Sequence, residues 1–136
     1  MRLVFDTNVL IAAFVSRGVC SELLEHCRRS HQVVSSEFIL REFEDKLLGK
    51  FKVPNFKAAA ATALIRSSAE VVAPARLSVP ICRDPDDDWV LATARTGNCS
   101  CIVTGDKDLL VLDPFMGIRI LAPGSFWAYE AANLGE

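Results

Sequence analysis

Met1-Arg2-Leu3-Val4-Phe5-Asp6-Thr7-Asn8-Val9-Leu10 opens the chain with a short apolar run, then a carboxylate, then a second apolar run. Leu3 to Phe5 reads as a strand. Asp6-Thr7-Asn8, all residue types that cap helices, mark the start of a helix from Thr7 to about Phe14. Asp6 therefore stands where a strand stops. In an open parallel α/β sheet the carboxyl ends of the strands border the crevice in which ligands bind, so an acid there is placed for chemistry rather than packing. The pattern recurs late in the chain. Cys99 to Thr104 is apolar and β-branched enough for a buried strand, and it runs into Gly105-Asp106-Lys107-Asp108.

Between these two junctions the periodicity alternates. It predicts an amphipathic helix over Val19–Arg28, a strand near Gln32–Val34, and a helix over Glu37–Leu48 capped by Ser35-Ser36. In that helix Glu42 falls on or beside the stripe formed by Phe38, Ile39 and Phe43. An alanine-rich helix runs from Pro54-Asn55 to about Ser68, followed by a strand near Val71–Ala73 and a connection over Pro74–Pro80. A last strand is expected at Gly117–Leu121 and a helix from Ser125 to about Ala132, with Trp127 and Tyr129 packed in the core. This order predicts a three-layer α/β/α sandwich around a central, mainly parallel sheet.

The acid-rich stretch Arg83-Asp84-Pro85-Asp86-Asp87-Asp88-Trp89-Val90-Leu91-Ala92 begins another helix, with Asp84 as N-cap, Pro85 at the first position and Gly97 at the stop. One or two carboxylates complement a helix dipole. Further ones repel each other, so capping alone does not account for the run. Spacing of i, i+3, i+4, i+7 groups Asp88 with Leu91, Ala92 and Arg95 and turns Asp88 partly inward, which makes it the favoured ligand of the four.

The 136 residues are 51% hydrophobic and carry no linker or low-complexity run, which suits one domain over 1–136. A net charge of −2 lacks the basic excess of many nucleic-acid-binding domains, but cations held by clustered carboxylates would supply positive charge where a phosphate must approach. Asp6 and Asn8 interrupt the only early apolar run, so neither a signal peptide nor a membrane span is expected, and a cytoplasmic location is. The cysteines, Cys20, Cys27, Cys82, Cys99 and Cys101, lack metal-site spacing and read as reduced, mostly buried thiols. His26 and His31 lie away from the acidic motifs and are not expected to act as ligands or bases.

Asp6 and Asp106 end two strands, while Glu42 and Asp88 start from two helices that can flank the same edge. Carboxylates buried together without cations cost stability, and an all-oxygen donor set favours Mg²⁺ or Mn²⁺ over zinc. Such a centre suits hydrolysis of a phosphodiester by metal-activated water, without a covalent protein intermediate. Thr7, Asn8 and Thr104 stand beside the acids, either to orient a carboxylate or water or to cap and turn the backbone. Lys46, Lys50, Lys52 and Lys57 make the most basic part of the chain, either a solvated face or a contact for phosphate.

Phe5-Asp6-Thr7-Asn8-Val9, Glu42, Asp84-Pro85-Asp86-Asp87-Asp88 with Leu91-Ala92, and Ile102-Val103-Thr104-Gly105-Asp106-Lys107-Asp108-Leu109 together resemble, in order and over nearly the whole chain, the PIN domain family, specifically its VapC-like toxins of prokaryotic toxin–antitoxin systems. The resemblance implies an acidic quartet of Asp6, Glu42, Asp88 and Asp106, with Asp108 and Asp86 as substitutes. It further implies a Mg²⁺- or Mn²⁺-dependent endoribonuclease, homodimerisation, and inhibition by a cognate antitoxin. Two other readings compete. One is a non-catalytic RNA- or protein-binding domain of the same fold. The other is a phosphatase with Asp6 as nucleophile, disfavoured because Asn8 stands where such enzymes carry a second Asp.

Overall fold

The computed structural model describes residues 1–133. Five strands, β1 (Arg2–Phe5), β2 (Gln32–Ser35), β3 (Glu70–Val71), β4 (Cys101–Val103) and β5 (Arg119–Leu121), form one all-parallel sheet in the order β3-β2-β1-β4-β5. The helices are α1 (Thr7–Val15), α2 (Val19–Ser30), α3 (Glu37–Gly49), α4 (Asn55–Ser68), α5 (Pro85–Thr96), α6 (Lys107–Leu110) and α7 (Phe126–Asn133). They flank the sheet as an α/β/α sandwich, as the alternation predicts. Among the described residues no single helix is long and apolar enough to cross a membrane.

The strand order decides where a site can form. From β1 the chain builds outward through β2 and β3, then returns to the other side of β1 for β4 and β5, so the order reverses between β1 and β4. A crevice opens at the carboxyl ends of strands at such a reversal. The Asp6 N–H donates to the Val103 carbonyl at 2.9 Å, which keeps the two strand ends level.

Leu3, Val4, Phe5, Ile102 and Val103 are fully buried, because a strand covered on both faces has no polar side to present. In α3 the Ser36 hydroxyl accepts the Ile39 N–H, and Ile39, Leu40, Phe43 and Leu47 form the buried stripe. Truncating Phe43 to Ala should cost about 3–5 kcal/mol. Helix α5 packs over β1, β2 and β4, and its far end fits tightly. A Cβ on Gly97 would lie 2.7 Å from Val34 Cγ1 and 3.2 Å from the Thr93 carbonyl oxygen, while the Gly97 carbonyl accepts from Arg2 Nε at 2.7 Å.

Several boundaries differ from expectation. β3 is Glu70–Val71 rather than Val71–Ala73, set by pairing of Val34 with Glu70 and Ser35 with Val71. β4 and β5 are shorter than expected: Cys99 N–H still bonds back to Ala94, and Gly117, at φ +84°, belongs to a turn joining Phe115 to Ile118. The one-turn α6 leaves no mark in the sequence pattern, because four residues are too few to show periodicity. Tyr129 packs partly buried against the core, but Trp127 is 39% exposed with its ring against His26, so its expected core position is corrected. All five cysteines are free, with Cys27, Cys99 and Cys101 buried.

Candidate active site at the carboxyl edge of the sheet

Asp6 leaves β1 as the N-cap of α1 and is only 4% exposed. Its Oδ1 accepts the Thr7 N–H at 2.8 Å and its Oδ2 accepts the Thr104 hydroxyl at 2.7 Å. The same Thr104 oxygen accepts the Asp106 N–H at 3.0 Å, and Asp106 Oδ1 accepts the Asp108 N–H at 2.9 Å. One buried hydroxyl thus ties the acid after β1 to the acid after β4. Burial raises the proton affinity of the Asp6 carboxyl by more than the Thr104 and Thr7 hydrogen bonds lower it; Asp106 adds to the rise and Lys46 opposes it.

The third acid at this edge is Asp87. Its carboxyl is pushed up to about 7 by burial first, then by the charge of Asp106 and a hydrogen bond with it, and by Asp6 and Asp84. Ligand oxygens of Asp87, Asp106 and Asp108 lie within 4.8 Å of one another. Asp88, the expected ligand, is directed elsewhere. Its Oδ1 accepts the Cys82 N–H at 2.8 Å, and its two oxygens take the Ile81 N–H at 3.3 and 3.2 Å. The inward tilt inferred from helical spacing is present, but unpaired amides of the preceding loop lie on that side and capture the carboxylate. Asp84 caps α5 by accepting the Asp86 N–H.

Glu42 and Asp86 sit in an adjoining groove of about 490 Å³ lined also by Phe38, Arg41, Asp45, Lys46 and Lys50. Lys46 reaches back from this groove to donate to Asn8 Oδ1 at 3.1 Å, which joins it to the Asp6 edge. Asn8 therefore orients a lysine. The Thr7 hydroxyl is buried and has no hydrogen-bond partner among the described residues. Lys50 stands over the Phe51 ring, while Lys52 and Lys57 are exposed and do not line the groove. Asp108 also pairs with the exposed Arg83 at 3.3 Å.

These residues fit a hard divalent cation. The donors are all carboxylate oxygens, and burial together with the like charges gathered there pushes Asp87 up to about 7, a rise that a bound cation would offset. In the sequence Asp87 stands out only as one of a run of acids. The available signal was its place one residue earlier on α5, on the side that faces β4 instead of the Ile81-Cys82 loop, and that requires the loop's path to be known.

No curated protein matches the chain. Among solved structures, VapBC-1 from nontypeable Haemophilus influenzae aligns with a TM-score of 0.63 at 17% identity, over 91% of this chain and 99% of that one. VapBC2 from Rickettsia felis, bound to a DNA fragment from its promoter, aligns with a TM-score of 0.62 at 12% identity, over 88% and 97%. VapC20 from Mycobacterium tuberculosis, a toxin that cleaves the sarcin-ricin loop, aligns with a TM-score of 0.59 at 17% identity, over 86% and 98%. At these identities the structures share the fold. Residues 2–108, which include both strand-end acids and the whole of α5, match the model of the PIN domain, and the chain belongs to that family.

Proposed function

We propose that this protein is a Mg²⁺- or Mn²⁺-dependent endoribonuclease and the toxin of a toxin–antitoxin pair. The observation that carries the reading is the meeting of Asp6, Asp87, Asp106 and Asp108 at the sheet reversal, with Asp87 raised to about 7 by burial and by its neighbours. Asp87, Asp106 and Asp108 would hold the cation, with Asp6 beside them. When bound, the ion would supply Lewis acidity toward a phosphoryl oxygen and lower the pKa of water. Thr104 fixes the Asp6 carboxylate by hydrogen bond, and Lys46, anchored on Asn8, places positive charge at the rim where a phosphate would approach. Lys50 and Arg41 extend that charge along the groove and Phe38 offers a ring for stacking, so RNA would run past Glu42 and Asp86 toward the acids. Glu42 and Asp86 stand at that approach, while Lys52 and Lys57 would contribute only to the general field.

Both oxygens of Asp6 are already engaged by Thr7 and Thr104, which suits a fixed carboxylate better than an attacking nucleophile and weakens the phosphatase reading. A protein partner is supported by the VapBC neighbours, which are toxin–antitoxin structures, and by the apolar side chains of Phe14, Val19 and Leu64, 44, 51 and 64% exposed. A homodimer and a cytoplasmic location belong to the same proposal. The test is cleavage of RNA by purified protein with and without Mg²⁺ or Mn²⁺, comparing Asp87→Asn with Asp88→Asn. Loss of metal-dependent cleavage in the first and its retention in the second is expected; equal cleavage by wild type and Asp87→Asn overturns the assignment.

A further inference from the structure

The opposite edge of the sheet holds a second cluster of ligand-type side chains. His31 ends α2 immediately before β2, His26 lies one turn earlier on α2, and Glu130 comes from α7. Nε2 of His26 and Nε2 of His31 both point at one oxygen, Glu130 Oε2, at 2.6 and 2.5 Å. The side chains of His31 and Glu130 are 4% and 12% exposed, while that of His26, at 31%, leaves an open side. Nδ1 of His31 lies 3.0 Å from the Met1 nitrogen, which fixes the ring plane. Trp127 covers His26 with ring centroids 4.8 Å apart, and Phe126 stands edge-on to His31 at 5.9 Å.

We propose that His26, His31 and Glu130 form a binding site for a borderline transition-metal ion, zinc in the first instance, that clamps α7 onto α2. Two imidazole nitrogens and one carboxylate oxygen make the donor set that zinc favours and that Mg²⁺ or Mn²⁺ does not, so the site is chemically distinct from the acidic edge. Tetrahedral ligands at zinc bond lengths stand about 3.3 Å apart, so the two edges from the imidazoles to Glu130, at 2.6 and 2.5 Å, open by less than about 1 Å to admit the ion, and all three ligand atoms already lie within 4.8 Å of one another. His26 supplies that movement, because it is the exposed member. On binding, the Nε2 protons are displaced: His26 takes up the tautomer protonated at Nδ1, while at His31 the Met1 ammonium 3.0 Å away passes a proton to Nδ1 and accepts the resulting N–H as an amine, so the displaced His31 Nε2 proton leaves to solvent and the ring gains the supporting hydrogen bond that metal-bound imidazoles use. Water on the exposed side completes the coordination. The aromatic wall excludes bulk solvent from the other side.

The experiment is titration of metal-stripped protein carrying Asp87→Asn and Asp106→Asn, which removes the acidic edge as a competing sink. Zn²⁺ should bind at one equivalent per chain, and Co²⁺ should give the intense visible bands of four-coordinate cobalt. The ring ¹⁵N resonances of both histidines should show Nε2 coordinated. Adding His26→Ala should weaken Zn²⁺ binding by more than roughly a hundredfold, beyond the cost of losing a ligand's supporting hydrogen bond, with the circular dichroism spectrum unchanged. Absence of stoichiometric binding, or binding unaltered by His26→Ala with both Nε2 resonances unshifted, overturns the site.

Discussion

At the carboxyl edge of the sheet Asp6, Asp87, Asp106 and Asp108 face one another, with Lys46 offsetting part of their charge; at the amino edge Glu130 receives hydrogen bonds from two imidazoles. Both edges gather titratable groups, yet the first collects like charges and the second matches acid to base. A folded protein tolerates the second arrangement as it stands. The first raises proton affinity, which a cation from solution would relieve, and this difference underlies the proposal of chemistry at the carboxyl edge and of a clamp at the amino edge.

The largest effect that sharpens this contrast is on turnover. Asp6→Asn or Asp87→Asn should lower metal-dependent RNA cleavage by at least about a hundredfold, or ~2.7 kcal/mol in activation free energy, measured under single-turnover conditions. Cleavage within a few-fold of wild type in Asp87→Asn would break the contrast. Next comes Thr104→Val, which leaves Asp6 Oδ2 buried without its donor. A loss of about 1–3 kcal/mol in denaturant unfolding, with a fall in cleavage, is expected.

The pH dependence should have opposite signs at the two edges. Asp87 binds its proton more tightly folded, near 7 against an ordinary 3.8, and Asp6 shifts the same way. The contribution of Asp87 to stability is complete below about 4 and is lost as pH rises through about 7, and that of Asp6 has the same sign. Glu130 is shifted the other way: despite its burial, hydrogen bonds from His31 and His26 hold its carboxyl below the ordinary 4.5. Its contribution is present above that value and disappears as pH falls through the depressed one. Melting temperature of metal-free protein should therefore fall by a few degrees between pH 5 and 8, with Asp87→Asn flattening that slope and Glu130→Gln flattening the acid limb below pH 5. A neutral-side slope untouched by Asp87→Asn would remove the basis for distinguishing the edges. The smallest effect is that of Asp88→Asn, which weakens the bonds to Ile81 and Cys82 by about 0.5–1.5 kcal/mol and leaves cleavage near wild type.

Asp6 and Asp106 were legible because each follows an apolar strand directly, and a parallel sheet sends both to one edge. Helical spacing also placed Asp88 correctly on the inward side of α5. What spacing could not show is which partner waits there, since the amides of Ile81 and Cys82 come from a loop without periodicity. Glu42 is a similar case: its half-buried face was readable, but the groove it enters depends on how α3 and α5 lean together. The histidines were least legible of all, because Glu130 lies 104 and 99 residues from them and only the folded chain closes that distance.

Gly97 acts as the fulcrum of a lever. α5 is 12 residues long, about 18 Å, with Gly97 wedged against Val34 at one end and Asp87 carried near the other. A methyl group at the fulcrum would need space that Val34 and the Thr93 carbonyl already fill, so the helix would have to tilt. The displacement at Asp87 would then be the larger for its distance from the pivot. A position with no polar side chain, at the opposite end of α5 from the acidic edge, thereby helps set the aim of the carboxylate that meets Asp106.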